Sequence, residues 1–232
     1  MTHSRPRNSE LAMNAILLAA EQVFMRAGFA GARIDTIAAE SGYNKSLIFQ
    51  YFGDKEGLYK AVIHRIKKEI ELDLEKFCNY ALEWFAQECS REHVTKVIRE
   101  AIIFSFSFSD RYPNIFRLLL WEAAEGWTVY KERSATDTSP KLLEQFIEYL
   151  ERSQAEGYIA SHINITILIA YILSVPISFR FNAARLQMLL PDFPWNTNDA
   201  NDLAREQFIT IILQSIIPPD PSDTEHTLGS DF

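Results

Sequence analysis

Residues 28–62 impose the tightest constraint on how this chain folds. They hold two short helical patterns, at 34–41 and 45–51, parted by a turn built on Gly42 and Asn44. Gly42 supplies a left-handed turn residue, and Asn44 is a good N-cap for the pattern that follows. Upstream, Ile16, Ala20, Val23, Phe24 and Ala27 recur at helical spacing over 9–27, and Gly28 stops them. Asp54 caps a longer helix that begins with Lys55. Ile34, Ile37 and Ala38 are expected to face a core, and Ile48, Phe49 and Phe52 to turn partly inward. Lys45, Ser46 and Gln50 then point outward. This is the layout of a helix-turn-helix, which places a short helix in the DNA major groove.

Taken whole, a net charge of −8 argues against a polyanionic partner. The distribution argues otherwise. Residues 1–68 carry 10 Lys and Arg against 6 Asp and Glu, and the rest of the chain carries 13 against 25. A basic head on an acidic body is the footprint of a nucleic-acid binder. Hydrophobic content of 47% with 23% charged residues excludes wholesale disorder.

Arg5 and Arg7 ahead of the apolar 12–20 imitate a secretion signal. Glu10 and Asn14 interrupt it and the helical pattern runs on, so a first helix is the better reading. The apolar run 163–177 is too short to span a bilayer and suits a core or interface helix. Cys78 and Cys89 form no CxxC and have no nearby histidine cluster, so free thiols are expected and no metal. No GxGxxG, P-loop, HExxH or GxSxG motif occurs, and the five histidines are scattered. The chain is therefore not expected to be an enzyme or to carry a cofactor.

The remainder reads as helices at roughly 54–77, 79–90, 92–109, 113–125, 139–156, 161–189 and 199–217. Phe104–Phe108 alternates with period two but is flanked by helical patterns, so it is kept helical. The fold class is all-α: a three-helix helix-turn-helix domain at 1–53, a larger helical domain at 54–217 and a disordered tail at 218–232. Pro176 is expected to kink or divide the long apolar helix.

Residues 10–62 resemble the DNA-binding domain of the TetR (tetracycline-repressor-like) family of transcriptional regulators. The resemblance rests on Ile16-Leu17, Ala19-Ala20, Phe24, Gly28-Phe29, Ile37-Ala38, Gly42, Lys45, Tyr51-Phe52, Asp54-Lys55 and Leu58. It implies a cytoplasmic regulator, usually a repressor. Its partners would be a pseudo-palindromic double-stranded DNA operator, a second copy of the chain and a small-molecule effector, with no membrane. Carried onto this sequence, 45–51 is the recognition helix. Lys45 reaches guanine or phosphate, Gln50 reads adenine, and Ser46 and Leu47 lie on the exposed first turn. Tyr51, Lys55 and Thr36 hold phosphate. Arg33 stands where the family has Thr or Ser as a cap, and itself reaches phosphate. Phe49 replaces a frequent Tyr, so any hydroxyl bond made there is absent.

The resemblance also implies an effector pocket in the larger domain. Aromatics concentrate in 104–130, and polar groups interrupt the apolar run after 163. Small-molecule sites combine these features, so Phe104, Phe108, Phe116, Trp121, Tyr171 and Arg180 are the candidates. By the same resemblance, 139–156 and 161–189 form the dimer contact. Leu142, Phe146, Tyr149 and Leu150 line one stripe and Ile165, Ile169, Ile172 and Leu173 the other. Such stripes serve equally well inside one subunit, and a helical interaction module without specific DNA binding is the alternative function.

Overall fold

The computed structural model describes residues 5–127, 138–195 and 197–219. All regular structure among them is helical: α1 (Arg5–Gly31), α2 (Ile34–Ser41), α3 (Lys45–Phe52), α4 (Lys55–Phe85), α5 (Arg91–Arg111), α6 (Pro113–Ala124), α7 (Thr138–Ala155), α8 (Ile165–Leu189) and α9 (Asn198–Ile216). The stretches expected at 54–77 and 79–90 are one helix, α4. Cys78 and Asn79 contain no breaker, and Ala81 and Trp84 bury the continuing pattern. Residues 220–232 of the expected tail lie outside the described residues.

The chain forms two compact units, residues 1–75 with 112–137, and residues 76–111 with 138–232. Neither boundary falls at 53/54: the first unit takes in the start of α4 and all of α6.

In the first unit α1 packs on α2 and α6, and α2 on α3. Ile16, Ala20, Phe24, Ile37, Ile48, Leu58, Tyr59 and Val62 are fully buried. The Phe24 ring meets Tyr59 edge-on at 4.8 Å, and Phe29 closes on Tyr59 at 5.1 Å. Burial, then the neighbouring Glu122 carboxylate, pushes the Tyr59 phenol far above its ordinary value. Gly28 interrupts α1 with φ 68° and ψ 178°, and the indole of Trp121 lies against its Cα. The Trp121 N–H donates to Met25 O at 3.2 Å, and the Ala30 N–H donates to the Glu125 carboxylate at 3.1 Å. Side chains of α6 and of its C-cap residue Glu125 therefore satisfy backbone groups on both sides of the break. Deeper along α1, buried Glu21 pairs with Arg65 of α4 and accepts from Asn114 Nδ2 at 3.3 Å.

In the second unit α5 packs against α8 and α9, and α7 against α8. Val94, Ile98, Ile102, Tyr149, Leu150, Ile169 and Ile209 belong to its core. Asn164 caps α8 through Ile167 N, and Thr197 caps α9 through Ala200 N. Of the stripes expected at a dimer contact, Tyr149, Leu150, Ile165, Ile169 and Ile172 are core residues of this unit, with Phe146 packed on them. Leu173 alone is openly exposed. Pro176 does not divide α8, which runs unbroken through it. The length argument against a bilayer span also falls, because among the described residues α8 is long and apolar enough to cross one by length and composition. One of its faces, however, is committed to the core of this unit.

Candidate nucleic-acid interface

The α2–turn–α3 segment is set by local chemistry. Gly42 ends α2 in the left-handed region, φ 75° and ψ 11°, and its N–H donates to Ala38 O. The Asn44 side chain accepts from Leu47 N at 2.9 Å and starts α3. Ile48, fully buried, anchors the helix. At the start of α4, Gly57 N donates to Asp54 Oδ1 at 2.7 Å, as a capping aspartate requires. Arg33 occupies the N-cap position of α2 without a side-chain cap bond.

Anchoring through Ile48 leaves Lys45, Ser46, Phe49 and Gln50 exposed, while Leu47 is half-buried. Phe49, expected partly inward, is 43% exposed. Ile48 and Phe52, four residues apart, use up the inward stripe of an eight-residue helix. Residues 46, 49 and 50 share one outward face by helical spacing, so Phe49 joins the candidate surface. The signal for this was the shortness of the helix rather than the hydrophobicity of the residue.

Arg33 and Thr36 are exposed, and Tyr51 is half-buried with its ring edge-on to Phe52. Two of the cations have internal partners. Lys45 pairs with Asp35 of α2, both well exposed. Lys55 donates to Ala30 O at 3.2 Å, and its ammonium lies 4.8 Å from the centre of the Phe29 ring. A cation in the first turn of a helix is disfavoured by the helix dipole. Here the carbonyl and the ring compensate, so the position of Lys55 does not require an external anion.

The six effector-pocket candidates do not share one unit. Phe116 and Trp121 belong to the first, where Phe116 is buried and Trp121 is bonded to α1. The other four belong to the second. Phe104 and Phe108 lie 5.5 Å apart, and Phe104 stacks on Phe77 at 3.5 Å. Tyr171 is 57% exposed, and Arg180 pairs with Asp110. Aromatic density marks core formation here, and sequence alone does not say which core each ring joins.

Residues 16–62 match the family model described as bacterial regulatory proteins, tetR family. The chain is 30% identical over 126 residues to the HTH-type transcriptional repressor SCO4008 of Streptomyces coelicolor, a match covering 51% of this chain and 53% of that protein. It is 25% identical over 192 residues to the HTH-type transcriptional repressor NicS of Pseudomonas putida, covering 79% and 82%. It is 33% identical over 128 residues to the HTH-type transcriptional regulator RutR of Escherichia coli, covering 54% of each. The match thus spans about half the length of the Streptomyces and Escherichia relatives. Two solved structures share the fold. One is the ketosteroid transcriptional regulator KstR2 of Mycobacterium tuberculosis, at TM-score 0.56 and 12% identity over 94% of this chain and 98% of that one. The other is HlyIIR, a hemolysin II transcriptional regulator, at TM-score 0.51 and 21% identity over 91% and 99%. The helix-turn-helix and its capping residues agree with these matches: residues 16–62 form a segment of the tetR family of bacterial regulatory proteins, and the helical body shares the fold of the two solved structures.

Proposed function

We propose that the chain is a ligand-responsive, DNA-binding transcriptional repressor acting in the cytoplasm. It grips a pseudo-palindromic operator as a homodimer and is released by a small molecule held within residues 54–217, with residues 1–53 as the reading head. It works by binding rather than catalysis. The observation that carries this reading is the outward face of α3, with Lys45, Ser46, Phe49 and Gln50 exposed on a helix fixed by Asn44 and Ile48.

Lys45 reaches guanine or phosphate after leaving Asp35. Gln50 pairs bidentately with adenine, and Phe49 and Leu47 meet thymine methyls. Arg33, Thr36, Tyr51 and Lys55 take phosphates, which position the head without reading sequence. Selection of bound DNA from a random pool by the full chain is expected to enrich a symmetric motif. Its half-sites should lie about 10 bp apart, the spacing of successive major grooves on one side of the duplex. An unenriched pool would favour an interaction module instead. Gln50→Ala is expected to relax preference at one base pair in each half-site, removing about 1–3 kcal/mol of discrimination there. An unchanged motif would place Gln50 off the bases.

The homodimer reading is supported by the outer faces of α8 and α9. The apolar 18-residue stretch of α8 has a mean hydropathy of 1.6, and only 28% of it is buried. Thr166, Ile167, Ala170, Tyr171, Leu173 and Ser174 are exposed on α8, as are Leu203, Gln207, Thr210, Ile211 and Gln214 on α9. The α8 set contains no charge, whereas on α9 Glu206 is exposed among the named residues and pairs with Arg99. An uncharged, partly apolar helix face such as that of α8 suits burial against a second copy. Tyr171→Glu is expected to sediment as a monomer at micromolar concentration, where the wild-type chain sediments as a dimer. A dimeric variant would move the contact elsewhere.

Release then follows from geometry. An effector preferring a body conformation with the wrong head spacing lowers DNA affinity only by its differential affinity for the two states. Switching from 1:99 to 99:1 takes about 5.5 kcal/mol. DNA must weaken effector binding by the same factor.

A further inference from the structure

Lys55, at the start of α4, is held by two neighbouring residues of α1. Its ammonium donates to Ala30 O at 3.2 Å and lies 4.8 Å from the centre of the Phe29 ring. That ring is itself confined, 5.1 Å from the ring of Tyr59, which is fully buried one turn further along α4. A lysine ammonium carries three donors. One goes to Ala30 O, so N–H groups remain for an oxyanion.

Ala30 is in turn held from the end of α6. Its N–H donates to Glu125 Oε1 at 3.1 Å. Glu125 is the C-cap residue of α6, and its own N–H donates to Trp121 O at 2.9 Å. Both polar groups of one exposed backbone residue are thus taken by opposite charges, a carboxylate on the N–H and an ammonium on the C=O. Bonds to ionised groups are the strong ones, and bonds in a chain polarise one another. On charge alone an acid is out of place here. Glu125 is half-buried in a unit whose proposed partner is a polyanion, so it works against DNA unless it has another task.

We propose, resting on the assignment of Lys55 to phosphate above, that Glu125 is a positioning residue for that phosphate grip, acting through Ala30. The carboxylate fixes the Ala30 backbone, Ala30 O fixes the ammonium, and the lysine meets DNA already ordered. A free lysine side chain has much rotamer freedom to lose, and a preorganised one loses less of it on binding.

Charge and positioning predict opposite signs, and DNA binding by the full chain distinguishes them. A duplex of mixed sequence is titrated over a range of salt concentrations. If Glu125 acts only through its charge, Glu125→Ala binds more tightly. The expected result is binding several-fold weaker, with the salt slope reduced by one phosphate contact, about 0.9 in log K against log salt. Glu125→Gln keeps an oxygen for the Ala30 N–H and should restore both. In Lys55→Ala, adding Glu125→Ala should change nothing further. A second readout needs no DNA. Limiting acetic anhydride labels free amines faster than held ones, and peptide mass spectrometry compares Lys55 with the exposed Lys68 of the same helix. Lys55 is expected to label several-fold more slowly than Lys68 in the wild type and in Glu125→Gln, and to approach it in Glu125→Ala. Labelling of Lys68 should stay constant, which separates release of Lys55 from loss of the fold. Tighter binding by Glu125→Ala overturns the proposal, as do additive losses in the double variant or Lys55 labelling that Glu125→Ala leaves unmoved. A wild-type chain that binds no DNA overturns the phosphate assignment itself, with or without the protection of Lys55.

Discussion

Gly28→Ala is expected to cost the first unit about 3–5 kcal/mol, from backbone strain together with overpacking. At φ 68° and ψ 178° the residue occupies a region open almost only to glycine. A Cβ there would lie 2.8 Å from Cε3 and 2.9 Å from Cδ2 of Trp121. The indole cannot retreat freely, because its N–H is bonded to Met25 O. Relieving the clash therefore sacrifices that bond, and a backbone shift would strain the Ala30 N–H bond to Glu125. Gly31→Ala is the control. Its Cβ would meet only Ala27 Cβ at an ordinary 3.5 Å, and its φ lies outside the left-handed region. That variant is expected to match or slightly exceed the wild type, by up to about 1 kcal/mol, because it narrows the unfolded ensemble. Urea unfolding of the two variants side by side decides the matter, and equal midpoints would show that Trp121 does not confine Gly28.

The second large effect is at Arg65. Glu21 is a carboxylate with 7% side-chain exposure whose partners are Arg65 and Asn114. Arg65→Met leaves that charge buried with a neutral amide alone, and the expected cost is about 3–5 kcal/mol. Arg65 also meets Glu69 one turn along α4 at 2.7 Å, but an exposed pair at that spacing contributes only about 0.3–0.5 kcal/mol. The loss is thus assigned to Glu21. Adding Glu21→Met to Arg65→Met should recover most of it, since an apolar pair of similar volume replaces a buried ion pair at little cost. A double-mutant cycle by thermal unfolding measures this. A double variant no more stable than Arg65→Met would mean that the stem of Arg65, rather than its charge, carries the effect.

The parts of the fold legible in the sequence are those written in local chemistry. Gly28, Gly42, Asn44 and Asp54 each act within four residues of themselves, so the break within α1, the end of α2 and the starts of α3 and α4 could be read directly. Where no breaker intervenes, the pattern is ambiguous, and α4 was divided at a point where burial of Ala81 and Trp84 carries it through. Tertiary partners were not legible. Asp35 stands ten residues before Lys45, across a turn whose geometry alone brings them together. Ala30 O and the Phe29 ring satisfy Lys55 from twenty-five and twenty-six residues away. The aromatics near 104–130 carried no signal of which core each would join, and Phe116 and Trp121 joined the first unit. The α8 stripe was correctly read as apolar, but a helix apolar on all sides offers no sequence cue to which face is inward. Burial places Ile165, Ile169 and Ile172 in the core and leaves Ile167 and Tyr171 outside.

The contacts of α6 with α1 bear on how the chain is made. Trp121 and Met25 are 96 residues apart, Glu125 and Ala30 are 95 apart, and Asn114 and Glu21 are 93 apart. The intervening residues 76–111 belong to the other unit. During synthesis α1, α2 and α3 therefore emerge long before the side chains that complete their packing. Contacts of such sequence separation must meet loop-closure entropy before they stabilise anything, which slows their formation. A ribosome-bound or truncated chain ending near residue 75 would hold α1, the two short helices α2 and α3, and part of α4, with Glu21 lacking Asn114 and the Gly28 break lacking its indole. The segment that carries α2 and α3 is thus synthesised well before the side chains at 114–125 that complete the packing of α1.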